Sequence, residues 1–221
     1  MASKELEIKV WDISTRVFHW ALVVSVTACW VTIKNRWMLA HQISGLSLLF
    51  LLIFRLIWAF VGSRTARLSD FLTSPWSAVK YLWSSLQNHD TSHTGHNPAG
   101  GWMIILFFIV LLVQVLTGLI ANNDLGFSGP LADQVMKDTS DQATRAHGLN
   151  FSLLLLLVWT HLVAVFFYYL VKRQAIIQAM FSGRKPLSQI DGYTNITFAP
   201  TWRVIAAVVC SAALLSVVFL I

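Results

Sequence analysis

Residues 146–171 read AHGLNFSLLLLLVWTHLVAVFFYYLV. No Asp, Glu, Lys or Arg falls in this run, and about 20 apolar residues suffice to cross a hydrocarbon core roughly 30 Å thick. Two ionisable side chains interrupt it, His147 and His161. Such groups are costly inside a bilayer and mark functional positions there. Fourteen residues of helix rise about 21 Å and complete nearly four turns, so the two rings share roughly one face, one above the other. One helix therefore offers two nitrogen ligands at two depths.

Working outward, four more runs have the same character: Val17–Ile33, Trp37–Val61 with Arg55 near its far end, Gly101–Ala121 and Val204–Ile221. Five spans predict an all-α integral membrane helix bundle. Composition agrees. The 221 residues are 56% hydrophobic and 12% charged, with ten tryptophans and a mean hydropathy of +0.64, whereas soluble domains carry about 25% charge. A soluble enzyme, a disordered tail and a secreted disulfide scaffold are excluded on that ground. Cys29 and Cys210 lie in apolar runs and read as buried thiols, and the absence of a CxxCH motif excludes covalent c-type haem. The first sixteen residues hold Lys4, Glu5, Glu7, Lys9, Asp12 and Arg16, unlike a cleaved signal peptide, so the first span is expected to be retained.

The net charge is +6, without the dense basic stripe that nucleic acid requires. Counted by alternate loops, one side collects Lys4, Lys9, Arg16, Arg64, Arg67, Lys80, Lys172, Arg173, Arg184 and Lys185, and the other only Lys34, Arg36, Lys137 and Arg145. The positive-inside rule then predicts a cytoplasmic N-terminus and a periplasmic C-terminus. The outward loop 122–145 also carries Asp124, Asp133, Asp138 and Asp141. Ser74-Pro75-Trp76 reads as an N-cap with proline at the first helical position. It opens a short interfacial helix in which Val79, Leu82, Trp83 and Leu86 recur at helical spacing. Residues 88–101 read as a turn-rich loop and 182–200 as a connector. His89, His93 and His96 in that loop lack an accompanying cysteine and do not read as a zinc site.

Four histidines fall in or at the ends of spans: His19, His41, His147 and His161. With the predicted orientation, His41 and His147 lie near the outer face and His19 and His161 farther in, which implies the pairs His41 with His147 and His19 with His161. A planar macrocycle between helices needs two ligands at matching depth, and imidazole is a good iron ligand. Two bis-histidine haems fit this pattern. Zinc wants four clustered ligands, and a proton relay would draw on intramembrane carboxylates, of which the spans have none. The inner pair is strained on paper. His161 lies eleven residues from Lys172 and His19 three from Arg16, a mismatch of about 12 Å unless span four projects inward or span one begins nearer Asp12.

These residues resemble the bacterial di-haem cytochrome b family that includes the cytochrome b subunit of nickel–iron hydrogenases. The matching elements are Val10-Trp11-Asp12 with Arg16 and His19-Trp20, His41-x-x-x-Gly45, and Gly95-His96-Asn97-Pro98-x-Gly100. Gln114-x-x-Thr117-Gly118 and Arg145-x-His147-Gly148 with His161 complete them. The cytochrome b subunit of formate dehydrogenases has similar spacing. The resemblance implies a four-helix core over 1–172 binding two haem b, a cytoplasmic connector over 173–200 and a fifth transmembrane helix over 201–221. It implies His19, His41, His147 and His161 as axial ligands of the haem iron and electron transfer between the quinone pool and a partner redox protein. Arg16, Arg36 and Arg145 stand near the ligands at membrane edges and are candidate haem-propionate contacts. Gly45, Gly118 and Gly148 are candidates for porphyrin packing because they lack a Cβ.

The expected partners are membrane lipids, a quinone and a periplasmic or membrane-associated redox protein, such as a c-type cytochrome or a hydrogenase-like subunit. The acidic loop favours a basic partner, and a bacterial inner membrane is the expected location. No nucleic acid is expected. The alternative is a stand-alone membrane oxidoreductase, such as one passing electrons from superoxide to quinone. No catalytic residue is assigned.

Overall fold

The computed structural model describes residues 6–87, 93–190 and 196–220; Lys4, Glu5 and His89 lie outside them. The spans are helices α1 (Ile13–Lys34), α2 (Met38–Val61), α5 (Pro98–Leu119), α6 (Lys137–Leu170) and α8 (Thr201–Ser216). Short helices α3 (Leu68–Phe71), α4 (Pro75–Leu86) and α7 (Ile176–Ser182) lie between them. The molecule is an all-α membrane bundle; among the described residues five helices are long and apolar enough to span, α8 counted with the turn that carries it on to Phe219. A two-stranded ribbon pairs β1 (Glu7–Lys9) with β2 (Arg184–Pro186), antiparallel, Ile8 opposite Lys185.

Helix ends follow from caps rather than from hydropathy. The Asp12 carboxylate accepts from the Thr15 amide at 2.6 Å and starts α1 four residues ahead of the apolar run, as an N-cap carboxylate does. Its other oxygen accepts from Trp58 Nε1 at 3.3 Å, which ties the cap to a tryptophan only 1% exposed. Asn97 does the same for α5, taking the Gly100 amide at 2.7 Å with Pro98 at the first helical position. Gly101 is required there, because a Cβ would stand 2.5 Å from the Phe71 carbonyl oxygen. Ser74 caps α4 as expected, accepting from the Ser77 amide at 3.2 Å. Helix α4 buries Ala78, Tyr81 and Ser85 and exposes Trp76, Val79 and Trp83, the two stripes of an amphipathic helix.

Helix α6 differs from the expectation. It begins at Lys137 and runs 34 residues, about 51 Å, so residues 137–145 of the expected loop are helical. The connector is also structured, by α7, whose end is set by Gly183 at φ 79°, and by β2.

The chain divides into two compact units. The first comprises Met1–Val17, Trp58–Leu106 and Trp159–Val204. Its small core joins Val10, Trp11 and Ala179, and the Thr65 hydroxyl donates to the Val10 carbonyl at 2.8 Å. The second comprises Phe18–Ile57, Phe107–Val158 and Ile205–Ile221. Its core is Leu48, Leu49, Leu52, Val110, Leu111, Val115, Leu119 and Leu154, with Leu215 and Val218 packed against it.

Lys185 in the first unit is 8% exposed; its ammonium donates to the His93 carbonyl at 3.4 Å. Burial pushes its pKa down to about 8. Between about pH 8 and the ordinary lysine value near 10.5, the unfolded chain holds the proton and the folded chain does not. Stability therefore rises with pH through that window, by up to about 3 kcal/mol at 1.36 kcal/mol per pKa unit. Lys185→Met is expected to raise the unfolding temperature at pH 7 and to abolish the rise toward pH 10. An equal slope in the variant, read by thermal unfolding in detergent, would refute this role for the buried ammonium.

Candidate functional site

His41 and His147 come together in the second unit. The turn from α1 to α2 takes Asn35, Arg36 and Trp37, with Arg36 at φ 58°, and brings the His41 ring back to α1. There His41 Nδ1 meets the Cys29 carbonyl oxygen at 2.9 Å. On α6, His147 Nδ1 meets the Gln114 carbonyl oxygen of α5 at 2.9 Å, with the Thr117 hydroxyl at 3.2 Å. A carbonyl only accepts, so each Nδ1 carries the proton and each Nε2 keeps its lone pair. This is the arrangement that orients a metal-ligating imidazole and raises its basicity. The two ring centroids are 6.2 Å apart, their planes at 79°. A metal held midway by imidazole bonds of about 2 Å puts two ring centroids about 6 Å apart.

Two glycines leave space open near the rings. A Cβ on Gly45, one helical turn beyond His41, would meet nothing within 4 Å, and the same holds for Gly148 beside His147. Gly118 packs directly against the His147 ring. A Cβ there would stand 3.0 Å from His147 Cε1 and 3.3 Å from Nδ1, so this glycine makes room for the histidine itself. Gln114, 8% exposed, holds the α5–α6 contact by accepting from Asn150 Nδ2 at 2.6 Å, while Asn150 also donates to the Val110 carbonyl at 2.9 Å.

The remaining candidates are placed as follows. His19 lies on α1 in the second unit, its ring edge-on to Trp20 with centroids 5.0 Å apart. His161 lies on α6 in the first unit; both are half-buried. The Arg16 guanidinium donates through Nη1 to the Phe181 carbonyl at the end of α7. Arg36 and Arg145 are exposed. His96 packs tilted against Trp11 and edge-on to Phe71, with centroids 4.5 and 5.4 Å away. No group of three or more His, Cys, Asp or Glu gathers among the described residues; an axial pair of histidines is a different kind of site. The carbonyls of Cys29 and Gln114 have no residue signature in the sequence, and Asn150 stands there only as one polar residue in an apolar run.

The prokaryotic cytochrome b561 family model matches residues 10–183. The chain belongs to this family. A comparison with curated proteins finds no match. Membership makes the protein a membrane b-type cytochrome of the hydrogenase cytochrome b type, which implies haem b binding and electron transfer. In this cytochrome b561 protein α8 lies outside the matched residues.

Proposed function

We propose that this cytochrome carries two haem b, one held by His41 and His147 and one by His19 and His161, and passes electrons between a membrane quinone and a redox protein at the outer face. The observation that carries the reading is the His41–His147 pair: two protonated Nδ1 atoms on backbone carbonyls, centroids 6.2 Å apart, beside two glycines facing open space. When bound there, haem b would supply a one-electron couple, and His41 and His147 would hold it. The protein's own work is to hold the rings, and with them the cofactor's plane and depth. For the second pair the support is the fourteen-residue spacing of His147 and His161 on α6 and the place of His19 near the start of α1.

Arg16, Arg36 and Arg145 are proposed propionate contacts, with Gly45 and Gly148 under the porphyrin. The domain limits proposed are 1–172 for the di-haem core, 173–200 for the connector and 201–221 for the fifth helix. The N-terminus is placed in the cytoplasm of a bacterial cell and the C-terminus in the periplasm. A basic partner such as a c-type cytochrome would meet Asp133 and Asp138, since Lys137 already engages Asp124 at 2.6 Å and Asp141 at 3.1 Å.

Haem per polypeptide, measured by pyridine haemochrome on the purified full chain, tests the reading. Two b haems are expected, and His161→Ala should leave one. One haem in the unmodified chain would restrict binding to a single pair and overturn the two-haem reading; no haem would overturn it entirely.

A further inference from the structure

The two histidines of the better-defined pair are held by the same local device on two different helices. In α1, the Thr32 hydroxyl bonds the Ala28 carbonyl at 2.6 Å and the Cys29 carbonyl at 3.1 Å. In α5, the Thr117 hydroxyl bonds the Val113 carbonyl at 2.7 Å and the Gln114 carbonyl at 3.1 Å. Threonines inside helices commonly bond back to the carbonyls three and four residues earlier, so both contacts are ordinary for a helix. What sets these two threonines apart is where the longer contact lands. In both helices it falls on the one carbonyl that also accepts the ligand histidine, Cys29 for His41 and Gln114 for His147, each at 2.9 Å.

A carbonyl oxygen has two lone pairs, and a second donor draws on the same electron density. Each threonine therefore weakens the bond that its carbonyl offers to Nδ1–H; at His147 the Thr117 oxygen also stands 3.2 Å from Nδ1, farther than the Gln114 carbonyl at 2.9 Å, so the carbonyl remains the ring's anchor. The strength of that bond sets how electron-rich the imidazole is, and ligand basicity is one of the levers on a haem's potential. A more electron-rich axial ligand favours the oxidised iron. Thr32 is 8% exposed, so water does not take its place.

We propose that Thr32 and Thr117 are positioning residues that raise the reduction potential of the haem held by His41 and His147, by sharing the carbonyls that anchor those rings. This rests on the haem reading above and adds to it a pair of tuning residues that never touch the cofactor.

The test uses the full-length protein with Thr32→Val and Thr117→Val, singly and together, and Thr→Ser at each position. Haem content and the low-spin bis-histidine spectrum are read first. A wild-type chain without haem defeats the cytochrome reading, and with it this one, at that step. With haem retained, redox titration should show one midpoint moving negative in each valine variant and farther in the double variant. The expected displacement of the one-electron equilibrium is up to about tenfold, or 59 mV. Serine should restore the wild-type value, and the ferric EPR signal of only that haem should change. Full haem occupancy with an unmoved or positively shifted midpoint would overturn the proposal. If one valine variant fails to accumulate, the other, on a different helix, decides it.

Discussion

His41→Ala is expected to yield an inserted, folded protein with one haem fewer than wild type. The ring is half-buried and its only described hydrogen bond goes to the Cys29 carbonyl, which Thr32 also satisfies. Loss of the side chain therefore strands no polar group, and the polypeptide should tolerate it. The cofactor should not. An iron left with a single axial imidazole from His147 becomes five-coordinate, and its spectrum should turn from low-spin to high-spin wherever any haem remains. Pyridine haemochrome and the reduced visible spectrum read this directly, with oligomeric homogeneity on gel filtration as the control for folding. An unchanged haem count with a low-spin spectrum would show that His41 is not a ligand.

Two glycine substitutions separate cofactor effects from packing effects. Gly118→Val places branched carbon where a Cβ alone already stands 3.0 Å from His147 Cε1. The ring must turn, and Nδ1 then leaves the Gln114 carbonyl. Losing an outer hydrogen bond of this kind typically costs 10- to 100-fold in metal affinity, and a displaced ring costs more. Gly45→Leu acts in the opposite way. A Cβ on Gly45 would meet no protein atom within 4 Å, so the chain itself should accept leucine without loss of thermal stability while haem binding falls. Should Gly45→Leu keep full haem, the open space beside Gly45 would not be the porphyrin's.

The five spans were legible because hydropathy reports burial in lipid over long runs, and the four histidines because nothing else ionisable but Arg55 interrupts those runs deeply. Helix ends were less legible. Asp12 and Asn97 are polar residues outside the apolar stretches, and their effect is to add turns that hydropathy does not register. The first nine residues of α6 contain Lys137, Asp138, Asp141 and Arg145 and read as loop, although Lys137 and Asp141 form a helical i,i+4 pair at 3.1 Å. The ribbon of β1 and β2 joins three-residue strands from opposite ends of the chain, a pairing no local pattern announces. The site divides in the same way: the ligand side chains stand in the sequence, whereas the carbonyls that fix their tautomers are common to every residue.

The tight turn over residues 35–37 bears on the order of events during biogenesis. His41 finds its anchor only twelve residues back, at Cys29, so the α1–α2 hairpin can fix that ring as soon as it enters the membrane. His147 finds its anchor 33 residues back, at Gln114 of α5, across the loop that separates α5 from α6. Because the N-terminal part of a chain is made and folded first, one half of the ligand set stands ready for most of synthesis while the other does not exist. Cofactor capture is thereby postponed until α6 has been inserted, and a ribosome-stalled chain ending before residue 147 should be folded in its hairpin yet colourless.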